Sequence, residues 1–125
     1  MLTIYEIKRV FEREFWPIAG KFDTIVLKGD KVWASDDFRV ARPGVYVWFK
    51  KGSVIKVGRN LTNARKRALE HVQDNTGSTM ADLREDEAVQ LILFTVHPDD
   101  YHWVASAEIY LENNLSPTIK SKRQG

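Results

Sequence analysis

The segment Gly44 to His71 constrains the fold more than any other part of the chain. Val45–Phe49 and Val54–Val57 are short runs of β-branched and aromatic residues, separated by Lys50, Lys51, Gly52 and Ser53. That is a hairpin pattern. After Arg59 the spacing turns helical. A strand pair feeding a helix therefore carries Lys50, Lys51, Lys56, Arg59, Arg65, Lys66 and Arg67, with only Glu70 as an acid among them.

Side-chain parity predicts the register. A three-residue loop of Lys50, Lys51 and Gly52 places Gly52 where a G1 bulge needs positive φ. Phe49 then pairs with Ser53, Val47 with Ile55, and Tyr46 with Lys56. Val45, Val47, Phe49, Ile55 and Val57 share one wholly apolar face. Tyr46, Trp48, Val54 and Lys56 share the other, with Gly44 and Gly58 bare at its end. A two-residue loop would bring Lys56 into the apolar face, so this register is rejected. A phenol is expected directly opposite an ammonium.

Total charge does not identify a partner. The net charge is only +2, so a nucleic-acid reading has to rest on where the charges sit. At 125 residues the chain is expected to form one domain, residues 1–125, large enough for a real core. There is no cysteine, which excludes a disulfide framework and a thiolate metal site. It fits a reducing cytosol, and a cytoplasmic location is the expectation. Charges interrupt the apolar positions of the amino terminus, so it does not read as a signal peptide. No stretch is apolar for long enough to span a membrane.

The remaining elements follow from spacing. Thr3 to Trp16 is predicted to be a helix, with Ile4, Ile7, Val10, Phe11 and Phe15 on its packing side and Pro17 and Gly20 ending it. Packing on the sheet is the expected role, and docking of a partner protein the alternative. Phe22 to Trp33 reads as a small extra hairpin, turning at Lys28–Lys31. A polar connection covers Ser35 to Pro43. A helix is expected from Asn60 to about Gln73, capped by Asn60 or Thr62, with Leu61, Ala64, Ala68 and Val72 packed. Arg67 and His71, four apart, share one face of it. Arg65 lies nearer the middle of the apolar arc.

Met80–Glu85 reads as a short helical turn, and Ala88 to Val96 as a strand buried on both sides. His97 reads as structural. Asp99 or Asp100 is expected to cap the last helix, Tyr101 to about Asn114, which packs through Val104, Ala107, Leu111 and Leu115. Glu108, next to Ala107, is expected to look along the sheet surface, whereas Glu112 reads as a surface glutamate. The tail residues Lys120, Lys122 and Arg123 are basic.

Four pieces in this order resemble the GIY-YIG nuclease superfamily: Gly44-Val45-Tyr46; Lys56-Val57-Gly58; Asn63, Arg67 and His71; and the segment from Glu108 to Pro117. The resemblance covers roughly residues 43–117. It departs from the family at Lys56, where most members carry a second tyrosine. The stretch between Gly58 and Arg67 is also one residue longer than usual, and Lys120 sits near a frequent asparagine. The resemblance implies an α+β fold, a small three-stranded antiparallel sheet flanked by helices. Here it gains an N-terminal helical extension over about residues 3–42 and the extra hairpin.

The same resemblance implies a divalent-metal-dependent endonuclease acting on DNA phosphodiester bonds. Glu108 would hold Mg²⁺ or Mn²⁺, and Mg²⁺ commonly uses just one or two carboxylates. Arg67 would bind the scissile phosphate, whose oxygens a guanidinium matches. Tyr46 would act as general base or position the water. A phenol titrates near 10, so Lys56 opposite it is expected to favour the phenolate. His71 joins this catalytic set. Lys50, Lys51, Arg59, Arg65 and Lys66 would contact DNA, and a protein partner could supply specificity. The alternative is a non-catalytic nucleic-acid- or protein-binding module that keeps the fold.

Overall fold

The computed structural model describes residues 1–121. Lys122 and Arg123 of the basic tail lie outside the described residues. The chain folds as helix α1 (Ile4–Phe15), strand β1 (Phe22–Lys28), a short helix α2 (Lys31–Ala34), strands β2 (Gly44–Lys50) and β3 (Ser53–Asn60), helix α3 (Ala64–Gln73), strand β4 (Val89–Val96) and helix α4 (Trp103–Leu115). The fold is α+β. The sheet has four strands rather than three, in the order β1-β4-β2-β3, and every pair is antiparallel. Among the described residues no helix is long and apolar enough to cross a membrane.

The fourth strand replaces the expected extra hairpin. β1 does not turn back on itself but pairs with β4 along its length, from Phe22 opposite Val96 to Lys28 opposite Gln90. Val32 and Trp33 belong to α2. Their amides donate to the Gly29 and Asp30 carbonyls at 3.1 Å each, so those donors are satisfied locally and cannot join a ladder.

Two apolar layers enclose the sheet. On one face α1 and α4 contribute Ile7, Phe11, Val104, Ala107 and Leu111, packed on Val45, Val47, Ile92 and Phe94. Phe11 carries much of this contact, with ring centroids 4.7 Å from Phe94 and 4.9 Å from Phe22. α1 is thus a packing helix, as its stripe predicts, and a Thr3–Glu6 capping box starts it. On the other face Ala64, Ala68 and Val72 of α3, with Met80 and Leu83, cover Tyr46, Trp48, Leu91 and Leu93. The two alanines let α3 approach the sheet closely.

The hairpin brings Tyr46 and Lys56 to one face as expected, but by a different register that exchanges the expected faces of Val54 and Ile55. Lys51 and Gly52 both have positive φ, 47° and 82°, and form the two-residue turn rejected above. Lys50 pairs with Ser53 and Phe49 with Val54, but Trp48 pairs with Lys56. Ile55 is therefore an extra residue, a β-bulge that reverses parity once along β3. Val54 joins the apolar face beside Phe49, and Ile55 turns to the other face. Lys56 lies opposite Trp48, and Tyr46 lies opposite Gly58.

Other boundaries shift for local reasons. β3 runs on to Asn60, whose Oδ1 accepts from the amides of Thr62 and Asn63 at 2.9 Å each and turns the chain. Asn63 then caps α3, so the helix begins four residues later than expected and Leu61 is exposed. His97 Nδ1 accepts from the Asp99 amide at 3.1 Å and caps a short 3-10 turn, Pro98–Asp100, that precedes α4. The N-cap position of α4 itself is His102, without a side-chain capping bond, rather than Asp99 or Asp100.

Gly58 is the position where space decides. A Cβ there would overlap the hydroxyl and Cζ of Tyr46 and stand 2.9 Å from its Cε1. The ring is buried and cannot swing away freely. Gly58→Ala is therefore expected to destabilise the protein by about 1–3 kcal/mol, the usual cost of overpacking. Urea denaturation measures this, and an unchanged midpoint would contradict the packing of Tyr46 on Gly58.

Candidate active site

Parity and helix spacing bring five residues from three elements to one edge of the sheet. Tyr46 on β2 and Lys56 on β3 face α3. Arg67 and His71, one turn apart on α3, face them in return. Arg59 follows Gly58 on β3 and so points to the opposite face, towards α4. Because β3 is an edge strand, both faces meet around it. The result is a pocket of about 360 Å³ lined by Tyr46, Lys56, Gly58, Arg59, Arg67, His71, Glu108 and Ser121.

The carboxylate of Glu108 is buried at the wall of this pocket, and its Oε1 accepts from Arg59 Nη1 at 2.9 Å. Glu112, one turn further on, is also buried and is not a surface residue. Its Oε1 accepts from the Ser121 amide at 2.7 Å. That contact belongs to a strap that follows the edge of β3. Within it, Thr118 and Ile119 amides donate to the Val54 and Ile55 carbonyls at 3.0 and 2.8 Å, and Ser121 Oγ donates to the Val57 carbonyl at 3.2 Å. The strap satisfies an edge that would otherwise be open to solvent.

The electrostatics differ from the expected phenol–ammonium pair. Burial pushes the Tyr46 hydroxyl well above the usual phenol range. Arg67 opposes this, while Glu108, Glu112 and Glu70 add to it. Lys56, placed opposite Trp48, does not lower the phenol, which stays protonated at neutral pH. Lys56 itself is pushed below the usual lysine range by burial, against the pull of Glu112 and Glu108. His71 is held down to about 4, first by burial and then by Arg67 and Lys56. Its Nδ1 lies 2.7 Å from Thr76 Oγ1, and its ring is 5.7 Å from that of Tyr46.

Tyr46, Lys56, Arg67, His71 and Glu108 thus come together, but the basic residues predicted to contact DNA do not form one patch. Lys50 is ion-paired with Asp86, and Lys51 sits in the hairpin turn. Both lie at the far end of the strands, roughly 13 Å or more from Tyr46 at 3.3 Å per residue. Lys66 is exposed on α3. Arg65 does not line the pocket, and its Nη1 is buried without a hydrogen-bond partner among the described residues. Arg67, by contrast, reaches the pocket and is also 3.4 Å from Glu70.

Arg59 was expected only as a DNA contact, yet it holds Glu108 inside the site. Glu112 was missed although it lies four residues after Glu108 on the same flank, which was the available signal. Among the described residues there is no group of three or more His, Asp or Glu side chains able to hold a metal ion. A metal here would rest on Glu108, with water and substrate oxygens as its other ligands, a donor set that suits Mg²⁺. No family model matches the chain, and neither a curated protein nor a solved structure matches it.

The His71 environment has a measurable consequence. An unfolded chain's imidazole takes its proton near 6.5, whereas the folded one stays neutral down to about 4. Between those values the unfolded state binds the extra proton, so this residue's stabilising contribution, full above pH 6.5, is lost as pH falls towards 4. A histidine NMR titration is expected to show His71 with a midpoint near 4. His71→Gln is expected to flatten the fall in urea stability over that window. A midpoint near 6.5 would contradict the burial of this ring.

Proposed function

We propose that the protein is a divalent-metal-dependent endonuclease that hydrolyses DNA phosphodiester bonds, a GIY-YIG-like domain whose second tyrosine is replaced by Lys56. The observation that carries this reading is the convergence of Tyr46, Arg67 and Glu108 on one polar pocket, from β2, α3 and α4 respectively. These residues come from widely separated parts of the chain, and each is of the type that phosphoryl chemistry uses.

Arg67 and Lys56 bind the scissile phosphate. The guanidinium offers paired donors to two oxygens, and the ammonium adds a point charge. Glu108 would hold the divalent cation, which when bound would supply Lewis-acid stabilisation of the phosphoryl oxygens. Tyr46 does not act as a phenolate in this reading. Its protonated hydroxyl orients the attacking water or donates to a phosphate oxygen. His71 is neutral at pH 7, and the tautomer with Nδ1–H donating to Thr76 Oγ1 leaves the lone pair on Nε2. That nitrogen can accept a hydrogen bond from the attacking water, whereas the depression of the ring to about 4 makes it a weak proton acceptor. Arg59 holds the Glu108 carboxylate in place before metal binds.

The Arg59–Glu108 ion pair also favours a second reading. A carboxylate already engaged by a guanidinium needs no metal, and a pocket of this kind could bind a nucleic-acid phosphate without cleaving it. Nicking of supercoiled plasmid DNA in Mg²⁺ or Mn²⁺ separates the two. Metal-dependent nicking is expected from the wild-type protein. Glu108→Gln and Arg67→Ala are each expected to lose about 100-fold or more, the scale of removing a charge-stabilising group from such a site, while keeping the wild-type circular dichroism. Salt-sensitive DNA binding without nicking would establish the binding module instead. Full nicking by Glu108→Gln would remove Glu108 from the metal site.

A further inference from the structure

A second pocket adjoins the first. It measures about 350 Å³ and is lined by Lys56, Arg67, His71, Thr76, Gly77, Ile119 and Lys120. Lys56, Arg67 and His71 line both cavities, so the two adjoin at the cations assigned above to the phosphate. A phosphate alone needs only the first cavity. Something covalently attached to the phosphate would enter the second.

We propose that this second pocket is a nucleobase subsite, which takes the unpaired base of the nucleotide whose phosphate sits on Arg67 and Lys56. The inference rests on the phosphodiester reading and adds the structural class of the substrate. The pocket combines a flat ring, an aliphatic surface and a cationic rim. His71 supplies the ring, and its contact with Thr76 Oγ1 at 2.7 Å fixes the ring's orientation. Ile119 supplies the aliphatic surface, held on the edge of β3 by its amide bond to the Ile55 carbonyl. Gly77 closes up against it. A Cβ there would come within 2.9 Å of Ile119 Cδ1, and the positive φ of 68° suits glycine. Lys120 stands at the rim, placed to meet a neighbouring phosphate.

Planar side chains and aliphatic faces are what bases stack upon when they leave a helix. A base that is paired and stacked within a duplex cannot enter such a pocket. The substrate is therefore expected to present an unpaired or extruded nucleotide at the scissile phosphate. The region between α3 and β4, which carries Thr76 and Gly77, thereby gains a role in selecting DNA structure.

Binding in EDTA tests this without any requirement for cleavage. The probes are deoxyadenosine 5′-monophosphate and 2-deoxyribose 5-phosphate, which share phosphate and sugar and differ by the base. Isothermal titration is expected to show the nucleotide binding about tenfold more tightly, the scale of one stacked base. Ile119→Trp, which fills the pocket, is expected to abolish that difference while retaining deoxyribose phosphate binding. If that variant does not fold, the wild-type NMR spectrum serves. The His71 ring signals are expected to shift further with the nucleotide than with the sugar phosphate, because only the base adds a ring current. Equal binding of the two probes, retention of the preference in folded Ile119→Trp, or equal His71 shifts with the two probes would overturn the subsite. A protein that prefers the nucleotide but never nicks plasmid would refute hydrolysis and leave the subsite standing.

Discussion

The parity change at Ile55 is the constraint on which the rest of the site depends. A two-residue turn at Lys51-Gly52 alone would put Lys56 among Val45, Val47 and Phe49, in a layer with no acceptor for an ammonium. One extra residue in β3 reverses the alternation after Val54. Val54 stays with the apolar layer under α1 and α4, and Lys56 joins Tyr46 under α3. The same shift sets Gly58 opposite Tyr46 and sends Arg59 towards α4. Bulges of this kind commonly re-aim side chains next to functional sites.

The charges gathered at this edge are held in a costly place. Lys56, Glu108 and Glu112 are all buried, and an ion taken out of water costs on the order of several kcal/mol unless it is paired. Arg59 offsets part of that cost for Glu108, and the Ser121 amide part of it for Glu112. Lys56 lies in the field of both carboxylates. Apolar residues would fill this volume with less penalty. Retaining ionised groups around an open pocket is the arrangement expected where an anion must bind and charge must be stabilised.

Much of the frame was legible in the sequence because it rests on periodicity. The stripe of α1, the run Val89–Val96 and the Ala64, Ala68, Val72 face of α3 each pack as their spacing predicts. The faces of Tyr46 and Lys56 were also legible, but their register was not, because parity is blind to a bulge that restores the alternation. Two errors have different sources. Val32-Trp33 has strand-like composition, yet the positive φ at Gly29 turns the chain into local helical bonding. Glu112 read as exposed because the sequence does not reveal that a later segment, Thr118–Ser121, folds back to cover it. The phenol's environment was misjudged for a similar reason. A neighbouring charge is visible in the sequence, whereas the desolvation that outweighs it comes from tertiary packing.

The account turns on Glu108 as the group that holds a divalent cation beside a bound phosphate. A crystal of the protein with Mn²⁺ and a phosphorothioate-containing oligonucleotide, measured at a wavelength where manganese scatters anomalously, locates that ion directly. The account predicts an anomalous peak at the Glu108 carboxylate, within the pocket between Tyr46 and Arg67, with a phosphoryl oxygen or sulfur among its ligands. A peak elsewhere, or an oligonucleotide bound with Arg59 still paired to Glu108 and no manganese between them, would contradict it.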